Sequence, residues 1–232
     1  MKSFCSIVGI AFICAVGLAA QDHDQAHGAH RAGVQQPDHM EHSFADVERY
    51  AKSFDDPARD GWQMSERVIA ALGLRSGQSV ADIGAGTGYF TVRLARSAAA
   101  PKVFAVDIEP KMVEYVRQRA QREGLTNVFG VVAGPERSNL PEPVDVVLMV
   151  DTYHHIANRV AYFTTLKASM KPGARLAIID FTKDSPEGPP PEFRFTADQV
   201  SAELTMAGFR LQTQHMFLRR QMFLIYAADV SR

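Results

Sequence analysis

The sequence predicts an α/β domain: seven strands in a mostly parallel sheet, helices on both faces, and an antiparallel hairpin at the C-terminal end. Three observations predict it. From Val80 onward, short apolar runs alternate with segments whose apolar residues recur at helical spacing. The runs are apolar nearly throughout rather than at every second residue, as strands buried on both faces are. The last two, Phe209 to Phe217 and Met222 to Ala228, are separated only by Leu218-Arg219-Arg220-Gln221. A parallel crossover needs about a dozen residues or more, so this pair must run antiparallel.

Taken in order, residues 1–20 read as a signal peptide. Lys2 gives a positive start, Ile7 to Ala20 is apolar, and Gly17-Leu18-Ala19-Ala20 supplies small residues for cleavage after Ala19 or Ala20. The apolar run is shorter than the roughly 20 residues a spanning helix needs, so no stable membrane span is expected after cleavage. A cleaved signal means export, periplasmic or secreted; translation from Met40 would instead keep the protein cytoplasmic. Residues 21–43 are polar and carry His23, His27, His30, His39 and His42, five of the eight histidines. With few apolar anchors they read as a disordered linker rather than a metal site.

Residues 44–232 read as one domain, opening with a helical lid over 44–72. Phe44, Val47, Tyr50 and Phe54 recur at helical spacing up to Asp55-Asp56-Pro57, where proline stops the helix. A second helix runs from Met64 to Leu72 and ends at Gly73. Val80–Ile83 is a strand into glycines, Tyr89–Ala99 a helix and Val103–Asp107 a strand. Pro110–Glu123 is a helix with Met112, Val116 and Ala120 on one face. Asn127–Val132 and Val144–Val150 are strands. Ile156–Met170 is a helix with Phe163, Leu166 and Met170 inward, stopped by Lys171-Pro172-Gly173, and Arg175–Phe181 is the next strand. Thr196-Ala197-Asp198-Gln199 is a capping box that opens a helix to Gly208, just before the hairpin.

Composition bounds the function. At 232 residues, 46% hydrophobic and 22% charged, the chain has enough material for one sizeable core. Twenty-five basic against 26 acidic residues give a net charge of −1, unlike a general polyanion clamp, so no nucleic-acid partner is expected. The only cysteines, Cys5 and Cys14, lie within the first twenty residues. The cleaved chain therefore has no disulfide and no thiolate nucleophile, and no metal is expected.

The sharpest feature is Asp82-Ile83-Gly84-Ala85-Gly86-Thr87-Gly88. Glycines after a first strand let the backbone turn sharply and approach a ligand closely. Asp107, closing the next strand, is placed to accept both hydroxyl protons of a ribose. The third glycine of a dinucleotide fingerprint would fall at Tyr89, and Asp82 makes a poor neighbour for a pyrophosphate. A buried carboxylate there suits a cation such as an amino group.

With these residues the chain resembles the class I S-adenosylmethionine-dependent methyltransferases. Asp82 to Gly88 matches their first motif, Val106-Asp107-Ile108-Glu109-Pro110 their ribose-binding strand end, and Lys171-Pro172-Gly173 the passage before their fifth strand. The resemblance covers about Val68 to Ala228. It implies a Rossmann-like three-layer sandwich and S-adenosyl-L-methionine as the cofactor. It further implies that Asp82 orients the methionyl amine and that Gly84, Ala85, Gly86 and Gly88 pack beneath the cofactor. Asp107 would hold the ribose and Ile108 lie against the adenine. The family's acidic contact to the adenine amine has no counterpart at Ala133-Gly134-Pro135, leaving that contact to backbone or to Glu136.

The fourth strand ends in Asp151-Thr152-Tyr153-His154-His155, where the resemblance puts acceptor-side residues. Asp151 is expected at the methionine end, with Tyr153 and His154 facing the acceptor as catalytic residues. His154 is the expected acid or base. The sequence lacks the Asp/Asn-Pro-Pro-aromatic strand end of nucleic-acid amino methylation. A small-molecule acceptor is therefore favoured. Two other readings stand beside methyl transfer: a non-catalytic nucleoside-binding protein on the same scaffold, and aminopropyl transfer.

Overall fold

β1 (Ser79–Ile83) is buried along its whole length because it has parallel neighbours on both sides, β2 (Lys102–Asp107) and β4 (Val144–Val150). The computed structural model describes residues 46–228. The signal, linker and cysteine expectations, and positions 44 and 45 of the lid, lie outside the described residues. β3 (Val128–Val132), β5 (Met170–Phe181), β6 (Phe209–His215) and β7 (Gln221–Ala228) complete a sheet ordered β3-β2-β1-β4-β5-β7-β6. β5, β7 and β6 pair antiparallel, as the four-residue connection requires. The chain leaves β1 toward β2 on one side and reaches β4 on the other. The strand order therefore switches beside β1 and opens a crevice at the carboxyl ends.

Successive strand residues point to opposite faces, and each face buries its own cluster. Ile83, Val106, Val147, Met149 and Ile178 pack on one face against α6 (Arg159–Lys167) and α7 (Ala197–Met206). Val80, Val103, Val146, Leu148 and Ile179 pack on the other against α3 (Ser65–Leu72) and α4 (Tyr89–Arg96). α5 (Pro110–Arg122) lies on β2 and β3, with Met112, Val116 and Ala120 buried as their spacing predicts. The layered α/β fold is therefore the one expected. Among the described residues, no helix is long and apolar enough to cross a membrane.

Three elements differ from expectation. α1 (Val47–Phe54) is followed by an extra helix, α2 (Ala58–Gln63), before α3. The helix expected from Ile156 begins only at Arg159, after a 3₁₀ turn at Tyr153–His155. Lys171-Pro172-Gly173 is strand rather than stop: β5 begins at Met170, opposite Val144, and shifts register before Arg175 meets Val146. Lys171 reaches Asp145 at 2.7 Å, and that ion pair accompanies the early pairing. Pro172 is tolerated because it sits at the irregularity, where no ladder donor is needed.

Candidate active site

The bend after β1 is held from β2. The N–H groups of Gly84 and Ala85 both donate to the Val106 carbonyl, at 2.8 and 3.1 Å. Gly84, Gly86 and Gly88 have φ of 75°, 54° and 86°, a region glycine enters without steric cost. A cavity of about 680 Å³ opens beside this bend, at the carboxyl ends of β1, β2 and β4.

Asp107 is fixed by the bend it faces. One carboxylate oxygen accepts from Gly86 N–H at 2.8 Å and the other from Glu109 N–H at 2.9 Å. Each oxygen keeps a lone pair for a further donor. Burial pushes its pKa up, against the pull of those backbone donors. Asp82 is also buried, and its Oδ2 accepts from Thr91 Oγ1 at 2.7 Å. Burial first, and the Asp107 charge in addition, push the Asp82 carboxyl up to about 6. Both carboxylates line the one cavity, together with Gly84, Ala85 and Gly86. Gly88 stands at the start of α4, where an added Cβ would press on Val116 at 3.2 Å. Ile108 lines the cavity and is 56% exposed, an apolar side chain kept in the open at a strand tip. Ala133, Gly134 and Pro135 line the same end, whereas Glu136 does not.

At the other end, Asp151 has φ 53° and lines the cavity beside Thr152. Its carboxylate accepts from Arg59 at 3.4 Å and Gln63 at 3.3 Å, both on α2, and from Gln221 on β7. Burial pushes it up to about 6, with Arg59 pulling it down. His154 also lines the cavity and is nearly buried. Its Nδ1 lies 2.9 Å from both oxygens of Asp180, the acid near the end of β5. Burial lowers the imidazole pKa, but Asp180 and then Asp151 outweigh it, and the net direction is up.

Tyr153 corrects the sequence reading. Its ring is fully buried against Phe163 and Phe195, and its hydroxyl donates to Glu203 on α7. It does not line the cavity, because the 3₁₀ turn spaces successive side chains by about a third of a rotation. His154 therefore points to the cavity while its neighbour points into the core.

Tyr50, Phe54 and Trp62 line the cavity from α1 and α2. The connection is anchored where Asp55 accepts from Thr87 Oγ1 at 3.1 Å and from Arg119 Nη1 at 2.8 Å. Sequence reasoning missed Asp180, Arg59, Gln63 and Gln221. Asp180 carried a usable signal, since it closes an apolar run as Asp107 does. The other three carried none, being brought to Asp151 only by long-range folding. Among the described residues, no group of three or more His, Cys, Asp or Glu is arranged to hold a metal.

These acceptors fit a nucleoside with a cation at one end. Asp107 has capacity for two hydroxyls, and Asp82 is a buried carboxylate with no ion-pair partner among the described residues, Arg59 acting on it only at longer range. The glycine bend leaves space that side chains would fill: a Cβ on Gly86 would fall 3.3 Å from the Phe54 ring.

Residues 74–215 match a family model described as a methyltransferase domain, which is more than half of the chain. A demethylmenaquinone methyltransferase of Tropheryma whipplei (strain Twist) is 34% identical over 116 residues, covering 48% of this chain and 45% of that protein. Phosphoethanolamine N-methyltransferase 1 of Triticum aestivum is 26% identical over 158 residues, covering 67% and 31%. The chain thus spans less than half the length of either of these curated relatives. The solved structure of a SAM-dependent methyltransferase from Aquifex aeolicus superposes with a TM-score of 0.72 at 28% identity, covering 80% of this chain and 98% of that one.

Proposed function

The chain belongs to the class I S-adenosylmethionine-dependent methyltransferases, and from that premise we propose that it methylates a small, partly apolar acceptor. The observation that carries the proposal is the pair Asp82 and Asp107 opening on one cavity, either side of the glycine bend. S-adenosylmethionine, when bound, supplies a methyl carbon activated by a sulfonium. Asp82 would take its amino group through a charge-assisted hydrogen bond, and Asp107 its two ribose hydroxyls. Ile108 and the backbone of Ala133 to Pro135 would hold the adenine. Gly84, Ala85 and Gly86 let the backbone come close, whereas Gly88, expected beside them, does not line the cavity and instead makes room for Val116; Asp151 borders the methionine end.

The acceptor would lie between His154 and the apolar wall of Trp62, Ile156, Phe181, Pro189 and Pro190. Methyl transfer is an in-line displacement, so holding acceptor and methyl in contact supplies much of the acceleration. Tyr50, Phe54 and Trp62 of α1 and α2, which line the cavity, would help to exclude water from that contact. His154 is the acid or base of the scheme. The named relatives act on a menaquinone precursor and on phosphoethanolamine; the apolar wall favours an acceptor of the first kind.

Calorimetric titration with S-adenosylmethionine tests the pocket. Asp107→Ala is expected to weaken binding roughly tenfold to a hundredfold, since it removes charged hydrogen-bond acceptors. No binding to the unaltered protein, or equal binding by the variant, overturns the assignment. A methyl-release assay across an acceptor panel then separates an enzyme from a binder, and product masses separate methyl from aminopropyl transfer. Export belongs to the same proposal: mass spectrometry of fractionated cells is expected to find a chain beginning near Gln21, whereas one beginning at Met40 places the enzyme in the cytoplasm.

A further inference from the structure

The geometry around His154 points to a residue and a substrate class beyond this reading, on which it rests. We propose that Asp180 is a positioning residue that holds His154 as proton acceptor for a hydroxyl group on a largely apolar ring.

The Asp180 carboxylate is immobilised before it meets the imidazole. Its Oδ1 accepts from Phe181 N–H at 2.8 Å and its Oδ2 from His154 N–H at 3.2 Å. Both oxygens then lie 2.9 Å from His154 Nδ1. A carboxylate only accepts, so Nδ1 carries the proton of the neutral ring and Nε2 carries the lone pair. Nε2 has no hydrogen-bond partner among the described residues, and the ring lines the cavity. The groups facing the imidazole are Asp180 from β5, Asp151 from the end of β4 and the His155 ring at 4.2 Å, with Arg59 of α2 set against Asp151.

The same groups select the acceptor. Asp151 already accepts from Arg59, Gln63 and Gln221, and Asp180 already faces His154. Arg59 already faces the charge of Asp151 and the His154 ring that of Asp180, so among the described residues neither carboxylate here offers an ammonium an unshared charge, although Asp151 Oδ1 keeps one lone pair; that disfavours an amine. The opposite wall is apolar and stiff. Trp62 packs on Phe181 at 5.8 Å, and the loop before Pro189 is pressed so close that a Cβ on Gly188 would fall 2.5 Å from the Phe181 ring. A phenol or enol suits both halves, its ring on this wall and its hydroxyl at Nε2.

The step balances. The hydroxyl oxygen forms a bond to the methyl carbon, the carbon–sulfur bond breaks with its pair on sulfur, and the hydroxyl proton passes to His154 Nε2. Asp180 stabilises the imidazolium that results, which later releases the proton to water.

The test uses the whole protein saturated with S-adenosylhomocysteine, so that no transfer occurs, and 4-nitrophenol as the probe. Absorbance reports the phenolate. Binding is expected to lower the ionisation midpoint of 4-nitrophenol by about one pH unit. His154→Gln and Asp180→Asn should each abolish that shift, with Asp180→Glu restoring part of it. Calorimetry should show S-adenosylhomocysteine binding unchanged in all three. In parallel, ¹⁵N spectra of the unaltered protein should show His154 protonated at Nδ1, a readout that stands even if Asp180→Asn fails to fold. S-adenosylhomocysteine bound with no 4-nitrophenol shift, or a shift indifferent to His154→Gln, overturns this inference and leaves the methyl-transfer reading standing. Failure to bind S-adenosylhomocysteine overturns both.

Discussion

A hydrogen atom in place of a side chain at Gly84 decides whether the bend after β1 can close. A Cβ there would lie 2.6 Å from Thr152 Cγ2 and closer still to Oγ1. Thr152 cannot simply turn away, because its hydroxyl donates to the Val150 carbonyl at 2.8 Å. Gly84→Ala is therefore expected to lower the melting temperature by the equivalent of about 2–4 kcal/mol and to abolish cofactor binding. Gly77→Ala is the control. Its φ is also positive, 82°, but nothing lies within 4 Å of its Cβ, so only the backbone strain of about 1 kcal/mol should register. Equal losses at the two positions would contradict this account. The sequence showed that the glycines turn the chain, but not that Thr152 would be what Gly84 must avoid. Asp82 and Asp107 were legible because each closes an apolar strand beside a turn. Asp180 stands in the same place on β5, but no glycine bend or proline-started helix follows it to mark a ligand-facing strand end. Tyr153 shared the polar cluster with His154; only the direction of a single 3₁₀ turn separates them, and composition does not encode that.

At the scale of elements, local chemistry was legible and long-range chemistry was not. The capping box at α7 forms as expected: Thr196 accepts from Gln199 N–H at 3.2 Å, and the Gln199 side chain accepts from Thr196 N–H at 2.8 Å. Both partners lie within one turn, so four residues of sequence specify it. α2 is the opposite case. It is six residues long and has Gly61 in its middle, so propensity argues against it. It is held instead by what it reaches, Arg59 and Gln63 meeting Asp151 across the fold. Gly61 is exposed and meets nothing within 4 Å, and its φ is not positive. Gly61→Ala is accordingly expected to stabilise α2 by about 0.5–1 kcal/mol. Hydrogen exchange should show slower opening of residues 58–63 and no change in the central strands. Faster exchange there would mean that α2 is held by some strain that glycine relieves.

At the scale of the molecule, connection lengths made the parallel core and the terminal hairpin legible. The place of β7 between β5 and β6 was not legible, because no local residue pattern selects which edge a hairpin joins or which of its strands lies inside. One further property belongs to no single element. The switch beside β1 gathers Asp82, Asp107 and Asp151 around one cavity, and burial raises all three. Asp82 and Asp151 each reach about 6, against 3.8 for an unperturbed carboxyl. Between those values the folded empty protein holds protons that an unfolded chain releases, so these two groups favour folding more as pH falls through about 6. An ammonium on the ligand prefers the ionised form of Asp82. Binding below about 6 must then expel a proton, and affinity should fall by up to about tenfold per pH unit, or ~1.4 kcal/mol. Saturating S-adenosylmethionine is thus expected to raise the melting temperature more at pH 7.5 than at pH 5.0. Asp82→Asn, which cannot titrate, should give a smaller rise with little difference between the two. An equal rise at both pH values in the unaltered protein would mean that Asp82 does not meet the ligand's cation, and the orientation of the cofactor in the cavity would have to be reversed.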